Sequence, residues 1–250
     1  MFIEPMIEKL YAMKLNAMVS ALEEQRKDPT ITELAFEDRL ALMVERQYVY
    51  REDRAFKCRL HYAGLKDTGP CLEGIDYRVK RNLSRSQLEP LLTRQWIVHG
   101  QNAMFTGPTG VGKSYIAKAL ARQACNNGIR TLVFYSPKLF RLLKTAELDG
   151  SLPKLLKKIA KSNLLVIDDF GLEKAAASDY RLFLEILQDR IGETSTLVTS
   201  QYSVSIWHEL IKDATIADAI LDRLVHSSYR IDLQGESMRK LGNTQNKKSS

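Results

Sequence analysis

The sequence predicts an α/β fold, a mostly parallel sheet flanked by helices, behind a small all-helical N-terminal domain. Three observations carry that prediction. Beyond about residue 67, short aliphatic runs alternate with helical patterns, the order expected when crossover helices cover both faces of a parallel sheet. One strand-to-helix junction among them is the octapeptide GPTGVGKS, Gly107 to Ser114. The first 66 residues repeat apolar side chains at helical spacing.

In that first stretch Met6, Leu10, Met13 and Ala17 recur beside a second row of Ile7, Tyr11, Met18 and Leu22, as on a helix with a broad apolar face. Asp28-Pro29 breaks the pattern. Thr30 and Glu33 fit a capping box, so a long helix is expected to run to about His61 with Leu40, Val44 and Tyr48 on one side. Charges at Glu45, Arg46, Arg51, Glu52, Asp53 and Arg54 keep most of its surface wet. Two such helices need a bundle, the next domain or another subunit to cover them. The glycines and proline of DTGPCLEG (67–74) mark the boundary. A helical domain is therefore expected over 1–66 and an α/β domain over 67–241.

The expected strands are 102–106 (NAMFT), 131–135 (TLVFY), 163–168 (NLLVID), 196–200 (TLVTS) and about 229–233 (YRIDL). Residues 115–126 leave the glycine-rich loop as a helix with an apolar stripe at Ile116, Leu120 and Ala124. The polar tail from Gly242, residues 242–250, is expected to be disordered.

Bulk composition narrows the function classes. At 250 residues, 44% of them hydrophobic, the chain has ample material for a core. It holds no apolar run approaching the ~18 residues of a membrane span. Glu4 and Glu8 interrupt any basic-then-apolar leader, so a cytoplasmic protein with no membrane partner is expected. Cys58, Cys71 and Cys125 lack metal-ligand spacing, and His61, His99, His208 and His226 are scattered, which argues against a metal site built on them. Net charge is +7, unevenly spread. Residues 1–66 balance at 11 basic and 11 acidic side chains, whereas residues 101–163 carry 11 basic residues against Glu147 and Asp149 alone. A local basic excess of this kind is an electrostatic footprint for nucleic acid or a merely solvated face.

Gly107, Pro108, Thr109, Gly110, Val111, Gly112, Lys113 and Ser114 form the strand–loop–helix phosphate-binding motif, with Tyr115 following as a further nucleotide contact. Glycines let backbone N–H groups turn inward around phosphate oxygens, and the helix N-terminus adds partial positive charge. Lys113 is placed to reach the β- and γ-phosphates and the Ser114 hydroxyl to ligate Mg²⁺, so ATP and Mg²⁺ are the expected cofactors. Four aliphatics then run into Asp168-Asp169. Asp168 has the position of the magnesium-holding acid, and Asp169 that of a carboxylate orienting the attacking water. Thr199-Ser200-Gln201 closes the next strand, where a polar side chain could bond that water or the γ-phosphate. Arg223 and Arg239 are candidate cations for the charge that develops during phosphoryl transfer.

Within the basic stretch, SLPKLLKKIAK (151–161) separates into faces. Leu152, Leu155, Leu156 and Ile159 occupy one side, and Lys154, Lys157, Lys158 and Lys161 the other. The preceding PKLFRLLK adds Lys138, Arg141 and Lys144. Seven such cations would grip phosphates without reading bases.

On these residues the chain resembles the IstB-like group of AAA+ ATPases, the helpers encoded beside transposases in a class of bacterial insertion sequences and relatives of the DnaC helicase loader. The resemblance also covers LEGIDY (72–77), WIVHGQN (96–102), VIDDFG (166–171) and, most specifically, the long stretch 196–240. It implies a five-stranded P-loop AAA+ sheet with little or no helical lid, and homo-oligomers with ATP at subunit interfaces. It assigns Lys113 and Ser114 to the Walker A pair, Asp168 to the Walker B acid, and Ser200 with Gln201 to sensor 1. Arg223 matches the trans arginine finger and Arg239 a sensor-2-like arginine. Asp169 stands where many AAA+ proteins have Glu, which implies slow or partner-stimulated hydrolysis. An extra DNA-contacting helix is implied near residues 137–149. The implied partners are double-stranded target DNA and the cognate transposase; the alternative is a DnaC-like helicase loader. A metabolite kinase would need an acceptor pocket and an arginine-bearing lid, for which no convincing sequence is present.

Overall fold

The computed structural model describes residues 3–238 and 240 of the chain. Its helices and strands follow in order: α1 (Ile3–Ala12), α2 (Asn16–Lys27), α3 (Phe36–Ala63), α4 (Arg85–Leu92), α5 (Gln95–Val98), β1 (Asn102–Thr106), α6 (Lys113–Asn126), β2 (Thr131–Tyr135), α7 (Ser136–Leu148), α8 (Leu152–Ala160), β3 (Leu164–Phe170), α9 (Ala177–Gln188), β4 (Ser195–Ser200), α10 (Trp207–Ile211), α11 (Ala214–Val225) and β5 (Ser228–Asp232). The chain divides into two compact units, Met1–Cys58 and Arg59–Ser250. Arg239 and the tail 242–250 lie outside the described residues. None of the described helices is long and apolar enough to cross a membrane.

The five strands form one parallel sheet in the order β2-β3-β4-β1-β5. Successive side chains of a strand point to opposite faces, and the core follows that parity. Ala103, Phe105, Leu164, Val166 and Leu197 pack on one face with α4, α5 and α6. Met104, Leu165, Ile167 and Val198 pack on the other, under residues of α7 to α11. Leu152, Leu155, Leu156 and Ile159 of α8 join this second layer, which leaves the lysine face of that helix outward. The strand expectations hold to within two residues. The main difference is β3, which continues through both aspartates to Phe170.

A buried arginine closes the amino-terminal side of the second layer. Arg190 donates to the carbonyl oxygens of Ile159, Ser162 and Ser195 and to the hydroxyls of Ser162 and Thr196. Burial lowers its pKa to about 10, so it stays charged at neutral pH. Its fork satisfies carbonyls from the ends of three elements at once, a task no shorter donor performs.

The N-terminal unit departs from the expected pattern in two places. Lys14, at φ +58°, ends the first helix, and the Leu15 N–H bonds back to the Leu10 carbonyl, a left-handed C-terminal turn. The apolar rows therefore fall on two helices, α1 and α2. The Thr30–Glu33 capping box does not form. Asp28 instead accepts from the Thr30 backbone N–H and hydroxyl and starts a 3₁₀ turn, Pro29–Glu33. The chain is extended at Leu34, and α3 begins at Phe36.

The stripe on α3 is also turned outward, with Leu40, Val44 and Tyr48 at 37%, 51% and 61% exposure. Between Leu40 and Tyr48 the buried residue is Gln47. Its side-chain oxygen accepts from the Ala17 and Met18 N–H groups, which have no carbonyl partner in the first turn of a helix. Polar capping between helices joins the burial of Val19 and Ala21 of α2 here.

Candidate nucleotide-binding site

Strand β1 ends at Thr106 and the chain turns through Gly107–Gly112 into α6. Gly107, Gly110 and Gly112 have φ of +131°, +87° and +103°, values that strain an L side chain. Space is short as well, most firmly at 107 and 110. A Cβ at position 107 would lie 1.9 Å from the Leu233 carbonyl oxygen, one at 110 would lie 2.2 Å from the Ser237 hydroxyl, and one at 112 would lie 2.4 Å from an Arg81 nitrogen. The loop is thus bedded on residues 233–237 and on Arg81, with Leu233 N–H on the Thr106 carbonyl and Met238 N–H on that of Gly110.

Lys113, almost wholly buried, donates to the loop carbonyls of Gly107 (2.6 Å) and Pro108 (2.7 Å). Burial pushes its pKa below the usual lysine value, and the neighbouring Asp169 and then Asp168 work against that shift. Gly112 offers no side-chain cap to α6, so the free N–H groups of the first turn are available to an anion. A cavity of about 620 Å³ opens here. Thr109, Gly110, Gly112, Lys113, Ser114 and Tyr115 line one wall, and Lys118, Asp169, Gln201, Arg81 and Met238 continue it. Pro70, Gly74, Ile75 and Asp76 close the far end, where Tyr115 packs its hydroxyl against Gly74 so closely that a Cβ there would lie 2.1 Å away. A glycine cradle, a lysine and the apolar surfaces of Pro70 and Ile75 around this volume fit a nucleoside triphosphate.

Strand β3 brings Asp169 to the cavity wall and keeps Asp168 buried behind it. Asp168 is buried; Oδ1 accepts from the Thr199 hydroxyl at 2.7 Å and Oδ2 pairs with Lys118 Nζ at 2.7 Å. Asp169 has φ +59°, an uncommon conformation for a residue with a side chain. Pairing with β4 slips there, from Ile167 opposite Val198 to Phe170 opposite Ser200, and this bulge accompanies the turn of Asp169 to the cavity wall. Its N–H donates to the Thr199 hydroxyl at 2.9 Å.

Thr199 therefore holds both acids. Ser200, buried, donates to the Phe170 carbonyl and accepts from Tyr202 N–H, away from the cavity. Gln201 reaches it, accepting from the Thr109 hydroxyl at 2.7 Å. Among the described residues no group of three His, Cys, Asp or Glu side chains could hold a metal ion. A divalent ion beside Ser114 and Asp168 would then draw most of its ligands from phosphate and water, as Mg²⁺ commonly does.

Arg223 lies elsewhere. Its carbonyl accepts from Asn102, the first residue of β1, whereas the phosphate loop leaves the last. Four strand steps of ~3.3 Å, about 13 Å, lie between those ends. The guanidinium donates from Nη1 to the Ala219 carbonyl and from Nε and Nη2 to Gln188 Oε1. With Arg190, His99 and His226 it lines a second cleft of about 370 Å³. The seven candidate DNA-binding cations are all exposed, on α7, on α8 and just after it. Two are engaged: Arg141 lies 3.9 Å from Glu173, and Lys158 sits over the Tyr62 ring.

Sequence reasoning did not single out Arg81, Lys118, Gln188 or Met238 as site residues. Arg81 donates to the Val111 and Asp76 carbonyls, and its own carbonyl accepts from Gln234 N–H, so it ties the pre-sheet segment to both the loop and the C-terminal residues. Its only signal was a basic cluster with Arg78 and Lys80. Lys118 carried a positional signal, one helical turn beyond Ser114.

The sequence profile of the IstB-like ATP binding protein family matches residues 8–248. Two insertion-sequence ATP-binding proteins of Sinorhizobium fredii are 40% and 38% identical, the first over 96% of this chain and 98% of its own length, the second over 95% of each. The IS21 ATP-binding protein of Pseudomonas aeruginosa is 28% identical over 95% of this chain and 88% of its own. The crystal structure of DnaI superimposes with a TM-score of 0.55 at 24% identity, covering 66% of this chain and 90% of that one. The replication initiator DnaA bound to AMPPCP and single-stranded DNA gives 0.54 at 14% identity, covering 71% and 54%. These two structures establish likeness of fold.

The Thr199 hydroxyl is expected to hold both acids in place. Thr199→Val leaves the Asp169 N–H without its acceptor and a buried carboxylate one donor short. Urea unfolding should report a loss of about 2 kcal/mol, with Thr199→Ser restoring most of it; equal stability of the Val variant contradicts the assignment.

Proposed function

Because this chain belongs to the family of IstB-like ATP-binding proteins, we propose that it is an ATP-dependent transposition helper that oligomerises on double-stranded target DNA and recruits and stimulates its cognate transposase. One observation carries the reading: the phosphate loop and Arg223 belong to opposite ends of β1. A single copy cannot bring that guanidinium to its own γ-phosphate, while a neighbouring copy can. Nucleotide occupancy then becomes a condition of assembly. The insertion-sequence names of the relatives favour this role over helicase loading.

In this mechanism Lys113 leaves its loop carbonyls for the β- and γ-phosphate oxygens, and the α6 N-terminus holds the remaining charge. Ser114 and Asp168 are the residues that would hold Mg²⁺, which neutralises β- and γ-oxygens when bound. Asp169 orients a water for attack on the γ-phosphorus and draws off its proton as the new P–O bond forms and the bond to ADP breaks. Gln201, bonded to Thr109 in the loop, registers whether the γ-phosphate is present. Arg223 from the adjacent copy stabilises the charge on the transferring group. The lysines of α8, with Lys138, Arg141 and Lys144 of α7, face the DNA backbone, Arg239 serves as a sensor-2-like cation, and residues 1–66 form a helical domain for contact with a partner, DNA or another copy.

Lys113→Ala should abolish ATP-driven assembly on duplex DNA, read by light scattering with and without nucleotide; full assembly by the variant at saturating ATP contradicts the reading. Neutralising Lys154, Lys157 and Lys158 should flatten the salt dependence of DNA binding by ~0.9 per lost phosphate contact. An unchanged slope removes α8 from the DNA surface.

A further inference from the structure

The Asp168–Lys118 ion pair is not required by the mechanism above and bears directly on it. The Asp168 side chain is 4% exposed. Its Oδ1 is committed to the Thr199 hydroxyl, so Oδ2 is the oxygen left for a cation, and Lys118 Nζ is on it at 2.7 Å. Lys118 follows Ser114 by four residues on α6, which puts it on the same helix face one turn on. It shares the cavity wall with Lys113, Ser114 and Asp169.

A buried carboxylate with no counter-charge is strongly destabilising, and the ammonium of Lys118 answers that need within the fold. It is also built to move. The Lys118 side chain is 36% exposed, its stem is flexible, and it lines both the nucleotide cavity and an adjoining cleft of about 310 Å³ beside Lys66 and Arg122. Two cations competing for one carboxylate oxygen repel each other, so a divalent ion drawn to Asp168 has to move the ammonium aside.

We propose that Lys118 is an internal counter-ion that stands in for the divalent cation at Asp168 and is displaced when that cation arrives. The inference rests on the assignment of this cavity to ATP. The positive charge then remains beside the triphosphate in the absence of metal, and nucleotide binding by this chain is only weakly dependent on magnesium. Removing the charge leaves the buried Asp168 carboxylate uncompensated behind the cavity wall.

The test is the ratio of ATP dissociation constants in EDTA and in Mg²⁺, measured by calorimetry on the full chain. Lys118→Met should raise that ratio at least tenfold over wild type, and Lys118→Arg should leave it within about threefold. Lys118→Gln, which keeps a hydrogen bond without the charge, serves as the second neutral variant and must move in the same direction. A ratio unchanged in the neutral variants, or raised equally by Lys118→Arg, overturns the proposal. Failure of the underlying assignment looks different: wild type then binds no ATP, or binds it undiminished after Lys113→Ala.

Discussion

Strand β4 lies between β1 and β3, and its parallel hydrogen bonds to both set how far the phosphate loop stands from the paired carboxylates. The loop leaves β1 beside Ser200, the acids leave β3 beside Thr199, and the residues of β4 are buried throughout. A strand held on both sides cannot slide without breaking two ladders. The one irregularity is at the end of β3, where two aspartates occupy the space opposite Thr199. That bulge lets one acid stay buried while the next, in a left-handed conformation, lines the cavity. Strain of this kind persists where the surroundings over-determine it, and the Thr199 hydroxyl supplies that constraint with one bond to each aspartate.

The same sheet separates the two halves of the proposed chemistry. Carboxyl ends of parallel strands collect the phosphate loop, the acids and Gln201, as expected for ligand sites in open α/β sheets. Beside the amino end of β1 lies Arg223 of α11, held on Gln188 and the Ala219 carbonyl. An arginine already aimed by two fixed acceptors loses little freedom when it meets an anion. At the other end Leu233 and Ser237 lie so close to the loop that Gly107 and Gly110 have no room for a Cβ, and the Met238 N–H bonds the Gly110 carbonyl. The segment after β5 is therefore part of the candidate nucleotide site, and its path is coupled to the path of the loop.

Much of this was legible in the chain. Buried parallel strands read as compact aliphatic runs, and all five were found with their ends within two residues. The phosphate loop was legible because its chemistry needs particular residues at fixed spacing. Features depending on tertiary partners were not. Whether Thr199 or Ser200 faces the acids depends on the bulge in the neighbouring strand, which Leu164 to Asp169 do not announce. Arg81 acts on groups far along the chain, donating to the Val111 carbonyl and accepting from the Gln234 N–H. In the N-terminal unit, helical periodicity was present but Lys14 and Asp28 divided it, since local turns satisfy backbone donors before distant packing can act. The outward stripe on α3 shows the same limit: periodicity finds a helix face, and does not say what covers it.

The most direct measurement of the central claim is subunit complementation between Arg223→Ala and Asp169→Asn on duplex DNA. Each variant alone should hydrolyse ATP poorly, one lacking the cation offered to its neighbour and the other the acid that orients water. Mixed, Asp169→Asn copies lend Arg223 to intact sites on Arg223→Ala copies, and phosphate release should recover. Full activity of Arg223→Ala alone, or a mixture as inactive as its parents, would contradict the account.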